Sequence, residues 1–494
     1  TMNHLMAHSA GFEEKILAGA PRTEDDLLPL GEFLKTRMPA RIITPGKVSI
    51  YSNYGAALAG YIVGQIENTT FNEYIEDNIF TPLNMTLSTF QQPVPQALEN
   101  NLVQGYYYDY DNEKFEPIPF IYLYETPAGA LSSTAKDMAK FMMAHLNNGT
   151  YKGIQLLQPS TTQFMHTQHF TIDPRITGFA HGFTEMVLNN KRVLWHGGDL
   201  GNTHTAFVLV PEENIGFYVC YNSGSSARYN LFREFFDRYY PVPEVGPVTP
   251  PADFKDRAKK FTGYYHSMRN DYSSLMAAPN LIFTTYRIGV AKDGALLILG
   301  ERYCEIDDLL FRHETYNETI AFLEDSKGKI THFCVNNNPT NTYEKMTGLR
   351  SIPLIIITLI ITLLGYLAVP ITELVYFIIR KVKKEEKADE PTLGVISKWT
   401  SIGLMFLTVL FIVGTTLVLL NAEIWFEIPP ILIALLVLPF LMIAATAALM
   451  FFDFFMWKDQ YWDLPKRIIY TNSTVLSIVF IAFLGYWNLI GFNF

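Results

Sequence analysis

Cysteine is scarce in this 494-residue chain, which has three: Cys220, Cys304 and Cys334. Three are too few for a disulfide framework. Each lies in a β-rich apolar stretch, where a buried free thiol is expected. A disulfide bond between Cys304 and Cys334 is the alternative. Because the sequence has no Cys-x-x-Cys motif and no cluster of His and Cys, it predicts neither a metal site nor another cofactor.

Basic residues are outnumbered, with 38 Lys and Arg against 48 Asp and Glu. The part after residue 351 carries nine of the basic and ten of the acidic residues, which leaves residues 1–351 with a net charge of −9. An acidic region without a basic cluster argues against nucleic acid as a partner.

Long apolar runs are absent from residues 1–351 but dominate the rest of the chain. Four of them lie at about 352–379, 399–421, 429–452 and 469–492. Each reaches the roughly 20 residues that a helix needs to cross a bilayer. Pro370 and Glu373 interrupt the first, which could kink or end early there. The sequence predicts a multi-pass protein of the cell membrane, with the lipid bilayer as a partner.

The charges of the connecting loops predict the orientation. Loop 380–398 holds Arg380, Lys381, Lys383, Lys384, Lys387 and Lys398, and loop 453–467 holds Lys458, Lys466 and Arg467. Loop 422–428 has no Lys or Arg. By the positive-inside rule the first and third loops are cytoplasmic, so residues 1–351 are extracytoplasmic. Glu373 is then expected near the inner headgroups, with an intramembrane functional acid as the alternative.

Residues 1–351 divide by composition. Residues 1–240 mix helical and strand patterns, including an amphipathic helix over 133–149 and a hairpin over 203–224. Residues 241–252, "PVPEVGPVTPPA", form a Pro-rich linker. Residues 253–347 are rich in Tyr, Phe and short strand-like runs and predict a small β domain. The transmembrane region follows at 352–494.

Tyr51 is the first candidate for catalysis. It opens a Tyr-x-Asn triplet with Asn53, one of four such triplets in the chain, so the triplet alone says little. A turn and a short β-rich run precede Tyr51 and a helix follows it, which is a geometry that can point a side chain into a cleft. A tyrosine hydroxyl titrates near 10 and becomes a useful base only where cations stabilise the phenolate.

His196 is the second candidate, in "WHGGDLGN" at 195–202. Glycines at this point let a substrate backbone approach a strand edge. His196 could supply a proton or a positive charge to a carboxylate or an oxyanion. A histidine among glycines is also common as a simple turn residue.

Four segments in order resemble the serine β-lactamase and penicillin-binding-protein-like hydrolases of the class C type. They are "TMNHLMAHSAGF" (1–12), "PGKVSIYSN" (45–53), "PAGALSSTAKDMAKF" (127–141) and "HGG" (196–198). The resemblance covers about residues 1–225 and implies an α+β core with an antiparallel sheet and a helical lobe. "NTYEKMTGLRSIPL" (341–354) resembles the junction that leads, in some bacterial members, from a small β domain to transmembrane helices.

The resemblance also implies roles for particular residues. Tyr51 would be the general base and acid, and Asn53 would contact the substrate and a lysine. His196 would stand where other members have the Lys of a Lys-Thr-Gly motif. Gly197, Gly198 and Asp199 would bind the substrate, with the backbone N–H that follows Gly198 forming half of the oxyanion hole.

The nucleophile of this family lies in a Ser-x-x-Lys motif ahead of the segment that here starts at Thr1. We therefore expect this chain to be missing its natural N-terminus and, as given, to be inactive. Ser133–Lys136 and Ser326–Lys329 match the spacing but are rejected. The first opens an amphipathic helix whose lysines face solvent, and the second is a polar turn, whereas a catalytic lysine must be buried.

These observations predict a membrane-anchored serine hydrolase that acts on amide or ester bonds. By family, its substrate would be a small peptide containing D-amino acids, an ester or a β-lactam-like compound. The alternative from another class is a catalytically dead receptor that binds peptides or cell-wall fragments. A transporter is a weaker third hypothesis, because the apolar segments hold very little charge.

Overall fold

The structure is a computed structural model that describes residues 1–384, 390–460 and 462–494. The chain forms two compact units. The first comprises 1–15, 19–270 and 285–345, and the second comprises 16–18, 271–284 and 346–494. The predicted boundaries at 240, 253 and 347 stay predictions.

Helices and short strands alternate in the part of the first unit that precedes residue 258. The helices are α1 (Met2–Met6), α2 (Leu30–Thr36), α3 (Asn53–Glu67), α4 (Phe71–Ile75), α5 (Gln96–Glu99), α6 (Thr126–Gly129), α7 (Ala135–Leu146), α8 (Pro159–His166), α9 (Ala227–Tyr239) and α10 (Phe254–Arg257). The strands are β1 (Gly105–Asp109), β2 (Lys114–Ile118), β3 (Thr150–Tyr151), β4 (Ile154–Gln155), β5 (Thr184–Leu188), β6 (Lys191–Leu200), β7 (Thr203–Val210) and β8 (Ile215–Tyr221).

The antiparallel sheet β5–β6–β7–β8 carries helices on both faces. Because side chains alternate along a strand, Leu194 and Phe207 pack with Met142 of α7, whereas Val193 packs with Phe232 of α9 on the other face. The predicted hairpin over 203–224 is confirmed as β7 and β8, and the predicted helix over 133–149 as α7. The core is thus the mixed α/β arrangement that the sequence predicts.

A closed antiparallel barrel forms the rest of the first unit. Its eight strands are β9 (Gly263–Ser267), β10 (Thr285–Val290), β11 (Leu296–Ile298), β12 (Glu301–Asp307), β13 (Leu310–His313), β14 (Thr319–Glu324), β15 (Ile330–Val335) and β16 (Thr342–Lys345). Aromatic side chains such as Phe261, Tyr265, Phe311 and Phe322 fill it. The predicted small β domain is therefore a barrel, closed where β16 pairs with β9.

Hydrogen bonds join the barrel to the segment just before α3. Ser49 Oγ donates to the carbonyl of Pro339 at 2.7 Å, and Thr342 Oγ1 donates to the carbonyl of Ser49 at 2.8 Å. Ile50 also forms a β-bridge with Asn341. The barrel thereby fixes the stretch of chain that ends in Tyr51.

In the second unit, four helical spans among the described residues are long and apolar enough to cross a membrane. They are α12 (Ile352–Lys383), α13 (Thr392–Leu419), the pair α14 (Pro430–Leu435) and α15 (Leu438–Asp459), and α16 (Leu464–Tyr486). They lie at the four predicted segments. The first does not end early, since α12 continues through Pro370. Lys387, part of the predicted basic loop, lies outside the described residues.

Glu373 lies in an ion-pair cluster within this bundle. Its carboxylate contacts Lys466 Nζ at 2.6 Å and Lys398 Nζ at 3.2 Å, and it accepts a hydrogen bond from the Tyr470 hydroxyl at 3.1 Å. The cluster ties α12 to α13 and α16, so Glu373 has a structural role in holding the helices together.

The three cysteines are free thiols. Cys304 and Cys334 are buried as expected, and the bridge that was left open between them is not formed. Cys220, which the sequence predicts to be buried, is exposed on β8.

Candidate active site

Tyr51 is held by the start of α3. Ser52 caps that helix, with its Oγ accepting a hydrogen bond from the Gly55 N–H at 3.0 Å. Gly60 lets α3 pack closely against α6, because a Cβ at position 60 would lie 2.6 Å from Pro127. Tyr51 itself is half-buried. Its position is set by the helix that follows it and by the contacts that the preceding residues Ser49 and Ile50 make with the barrel.

The structure brings Tyr51 and His196 together. The Tyr51 hydroxyl lies 3.3 Å from His196 Nε2, across 145 residues of sequence. His196 lies on β6 just beyond the part that pairs with β5, since that pairing ends at Trp195. Within the described sheet, residues 196–200 of β6 pair with β7 and no longer with β5. The two candidate residues thus meet at an open edge of the sheet.

His8 is a neighbour of this pair that the sequence analysis missed. Its ring stacks on the Tyr51 ring with centroids 4.1 Å apart and an interplanar angle of 26°. Its Nδ1 accepts a hydrogen bond from the Ser52 N–H at 3.1 Å. Burial first, and then the nearby His196 and Arg269, lower the pKa of His8 to about 3. His8 is therefore a neutral support for the Tyr51 ring.

Arg269 is a second missed neighbour and follows barrel strand β9. Its guanidinium lies 4.7 Å from the centroid of the Tyr51 ring, and its Nη2 contacts Glu14 Oε1 at 3.2 Å. This is the geometry of a cation–π contact whose cation is also ion-paired. The barrel thus contributes the cation that the sequence analysis required beside Tyr51 but did not identify.

Glu125, just before α6, is the third missed residue. Burial, together with the Glu14 carboxylate, raises its pKa to about 8, and Arg269 opposes that rise. Glu125 is therefore largely protonated at neutral pH. At the higher pH at which Tyr51 titrates, Glu125 is ionised, and its carboxylate then raises the pKa of Tyr51.

The Tyr51 hydroxyl is more weakly acidic than a free tyrosine. Burial raises its pKa, Arg269 lowers it, and Glu14 and Glu125 raise it further. Burial also lowers the pKa of His196, against the effect of a hydrogen bond to the backbone of Gly197. A phenol and a neutral imidazole therefore face each other at neutral pH, and one cation lies over the phenol ring.

Gly197, Gly198 and Asp199 continue β6 beyond His196. A Cβ on Gly198 would lie 2.6 Å from Thr205 Oγ1, so glycine at this position leaves room for the Thr205 side chain. The Asp199 carboxylate contacts Arg228 Nη2 at 2.6 Å and His204 Nδ1 at 2.5 Å. Its side chain is therefore engaged in an ion-pair network, and the roles predicted for its backbone N–H and for the two glycines stay predictions.

Asn53 is the first residue of α3 and is half-buried. Its predicted contact with a substrate stays a prediction. Ser133 Oγ lies 2.8 Å from Ser88 Oγ, and Lys136 is exposed. Ser326 lies in the exposed turn between β14 and β15. These surroundings fit the rejection of both Ser-x-x-Lys matches.

Residues 1–238 match the family model described as Beta-lactamase. Unguisins hydrolase ungD' of Aspergillus campestris (strain IBT 28561) is 25% identical over 231 residues, which are 44% of this chain and 41% of that protein. Protein flp of Staphylococcus aureus (strain MRSA252) is 27% identical over 186 residues, or 37% of this chain and 34% of that protein. The matches thus span less than half of these curated relatives.

Among solved structures, the octameric penicillin-binding protein homologue from Pyrococcus abyssi is similar at 20% identity. The similarity covers 70% of this chain and 78% of that chain, with a TM-score of 0.42. Over residues 1–238, just under half of its length, this chain is similar to the β-lactamase family.

Proposed function

We propose that this chain carries the acid–base and substrate-binding side of a membrane-anchored, extracytoplasmic serine hydrolase. It would act on amide or ester bonds, with small peptides that contain D-amino acids as the favoured substrates. The observation that carries the proposal is the 3.3 Å approach of the Tyr51 hydroxyl to His196 Nε2 beneath the Arg269 guanidinium. The match of residues 1–238 to the β-lactamase family model supports the hydrolase class.

In the proposed reaction a serine Oγ attacks the carbonyl carbon of the substrate. The serine proton passes to the Tyr51 oxygen while Tyr51 gives its own proton to His196 Nε2. A neutral imidazole can accept that proton at Nε2, the ring nitrogen that lies 3.3 Å from the Tyr51 hydroxyl. Return of the proton through Tyr51 to the leaving amine or alcohol completes acylation, and water then releases the acyl group.

Lys136 and Lys329, the lysines of the two Ser-x-x-Lys matches, are both exposed, so the proposal assigns neither Ser133 nor Ser326 as the nucleophile. Backbone N–H groups at the edge of β6 would stabilise the oxyanion, the Asp199 N–H among them. Asn53, Gly197 and Gly198 would line the bound substrate.

The orientation is part of the proposal. Arg380, Lys381 and Lys383 lie in the last turn of α12, and Lys458 lies in the last turn of α15. These are the ends of the helices that a positive-inside arrangement puts in the cytoplasm. The first unit would then be outside the cell, where wall-derived peptides occur.

Covalent labelling tests the proposal. The gene product with its native upstream sequence, in membranes, is treated with a fluorescent fluorophosphonate or a fluorescent penicillin. The proposal predicts a labelled band that Tyr51→Phe weakens strongly while Tyr110→Phe, in another Tyr-x-Asn triplet, leaves it unchanged. Absence of labelling by either probe would favour the receptor alternative.

A further inference from the structure

The connection between barrel strands β9 and β10 is longer than the fold requires. It runs from 268 to 284, whereas antiparallel neighbours are usually joined by a few residues. Residues 277–284 of this connection form a helix, α11 (Ala277–Thr284). The stretch from Tyr272 to Tyr286 contains no charged residue.

One side of the connection packs on the helical bundle of the second unit. Leu275 and Met276 are buried in the hydrophobic cluster of that bundle. The Leu275 N–H donates to the carbonyl of Asn493 at 3.0 Å, and Asn488 Nδ2 donates to the carbonyl of Tyr272 at 3.1 Å. Because Asn488 and Asn493 follow α16, the connection lies at the bundle end where α16 finishes and α12 begins.

The other side of the connection is apolar and uncovered. Ile282 is 61% exposed and Phe283 is 63% exposed, next to Leu281, which is buried. Arg287, exposed, follows this pair on β10, and the Arg350 guanidinium lies 5.4 Å from the centroid of the Tyr272 ring, just ahead of α12. The apolar helix α11 thus lies between Tyr272, which has the Arg350 guanidinium over its ring, and the exposed Arg287.

We propose that residues 271–284 form a membrane-interfacial element in which Ile282 and Phe283 bind the acyl chains of the bilayer. The ends of helices that span a bilayer lie at its headgroup region, so a segment packed on those ends lies at the same depth. An apolar helix bordered by arginines fits that region, because the rings and methyl groups enter the acyl layer and the guanidinium groups reach the phosphates. This contact would anchor the barrel to the membrane in addition to the spanning helices.

A cysteine-attached NBD fluorophore on the full chain tests the proposal. The background is Cys220→Ser, because Cys220 is the exposed thiol and the other two cysteines are buried. Phe283→Cys is labelled and reconstituted into lipid nanodiscs, which leave both membrane faces open to solvent. Ser326→Cys, in the exposed turn between β14 and β15, is labelled in parallel as a reference for a dye in a polar turn.

The proposal predicts blue-shifted emission at position 283, quenching by lipids that carry a doxyl group near the headgroup, and protection from aqueous iodide. Iodide quenching at 283 that equals the quenching at 326 would overturn the proposal. So would protection of 283 from both quenchers, which would mean that protein, in this chain or in a second copy, covers Phe283.

Discussion

The placement of Arg269 over the Tyr51 ring predicts that this arginine sets the acidity of Tyr51. At the 4.7 Å that separates the guanidinium from the ring centroid, two unit charges interact by about 3.5 kcal/mol at an effective dielectric constant of about 20. The Arg269 side chain is 36% exposed and is paired with Glu14. Solvent screening and the opposing carboxylate should reduce the effect on Tyr51 to about 1.4 kcal/mol, or one pKa unit.

Arg269→Gln should therefore raise the pKa of Tyr51 by about one unit. Glu14→Gln should lower that pKa, because the Glu14 carboxylate raises it in the parent protein. Arg269→Lys should give an intermediate value, since it keeps the charge but loses the planar group that covers the ring.

The assay is 19F NMR of 3-fluorotyrosine incorporated at position 51, titrated in each variant. It reads one hydroxyl among 28 tyrosines and does not require turnover. In the gene product with its upstream sequence, Arg269→Gln should also reduce kcat/KM at neutral pH by about tenfold, since one pKa unit corresponds to about 1.4 kcal/mol. Equal titration midpoints for Arg269→Gln and Glu14→Gln would refute the reasoning.

Three further predictions concern stability. Gly60→Ala should cost about 1–3 kcal/mol of unfolding free energy, because its Cβ would meet Pro127 at 2.6 Å. Gly55→Ala is the control, because its Cβ would lie 3.5 Å from the nearest atom. An equal loss of stability in both variants would count against close packing of α3 on α6. Phe322→Ala should cost about 3–5 kcal/mol by emptying the barrel core, as measured by thermal unfolding; a loss below about 1 kcal/mol would contradict that packing. The pKa of Glu125 is raised from its ordinary 4.5 to about 8 in the folded protein. Between these two pH values the folded protein keeps a proton that the unfolded chain releases, so the free energy of unfolding falls as pH rises from 4.5 to about 8. Glu125→Gln should remove this loss, a gain of roughly 1–2 kcal/mol by pH 8 after allowance for solvent screening; parallel stability–pH curves for parent and variant would contradict it.

The membrane helices were predictable because an apolar run of about 20 residues rarely occurs outside a membrane-spanning helix. The first predicted segment, 352–379, begins at the same residue as α12 and ends before it, since α12 spans Ile352–Lys383. The break between α14 and α15 was missed, because the apolar run continues through it and Pro439 lies within the run. The connection 271–284 was missed as well, because a short apolar stretch is equally typical of a domain core.

The candidate site was predictable only where motifs carry it. Tyr51 and His196 stand in recognisable segments, and the Tyr51 hydroxyl lies 3.3 Å from His196 Nε2. Arg269 has no motif and reaches Tyr51 only because β16 pairs with β9 to close the barrel. Glu125 adjoins a recognised segment, yet its raised pKa comes from burial and from Glu14, which are properties of the folded chain. Long-range electrostatic neighbours of this kind leave no local pattern in a sequence.

The most direct test of the central claim is intact-mass and peptide mass spectrometry of the native gene product after reaction with a fluorophosphonate. We predict one covalent adduct, on a serine other than Ser133 and Ser326, formed much more slowly in Tyr51→Phe. An adduct on Ser133 or Ser326, or no adduct on a folded protein, would contradict the assignment of Tyr51 and His196 to a serine hydrolase.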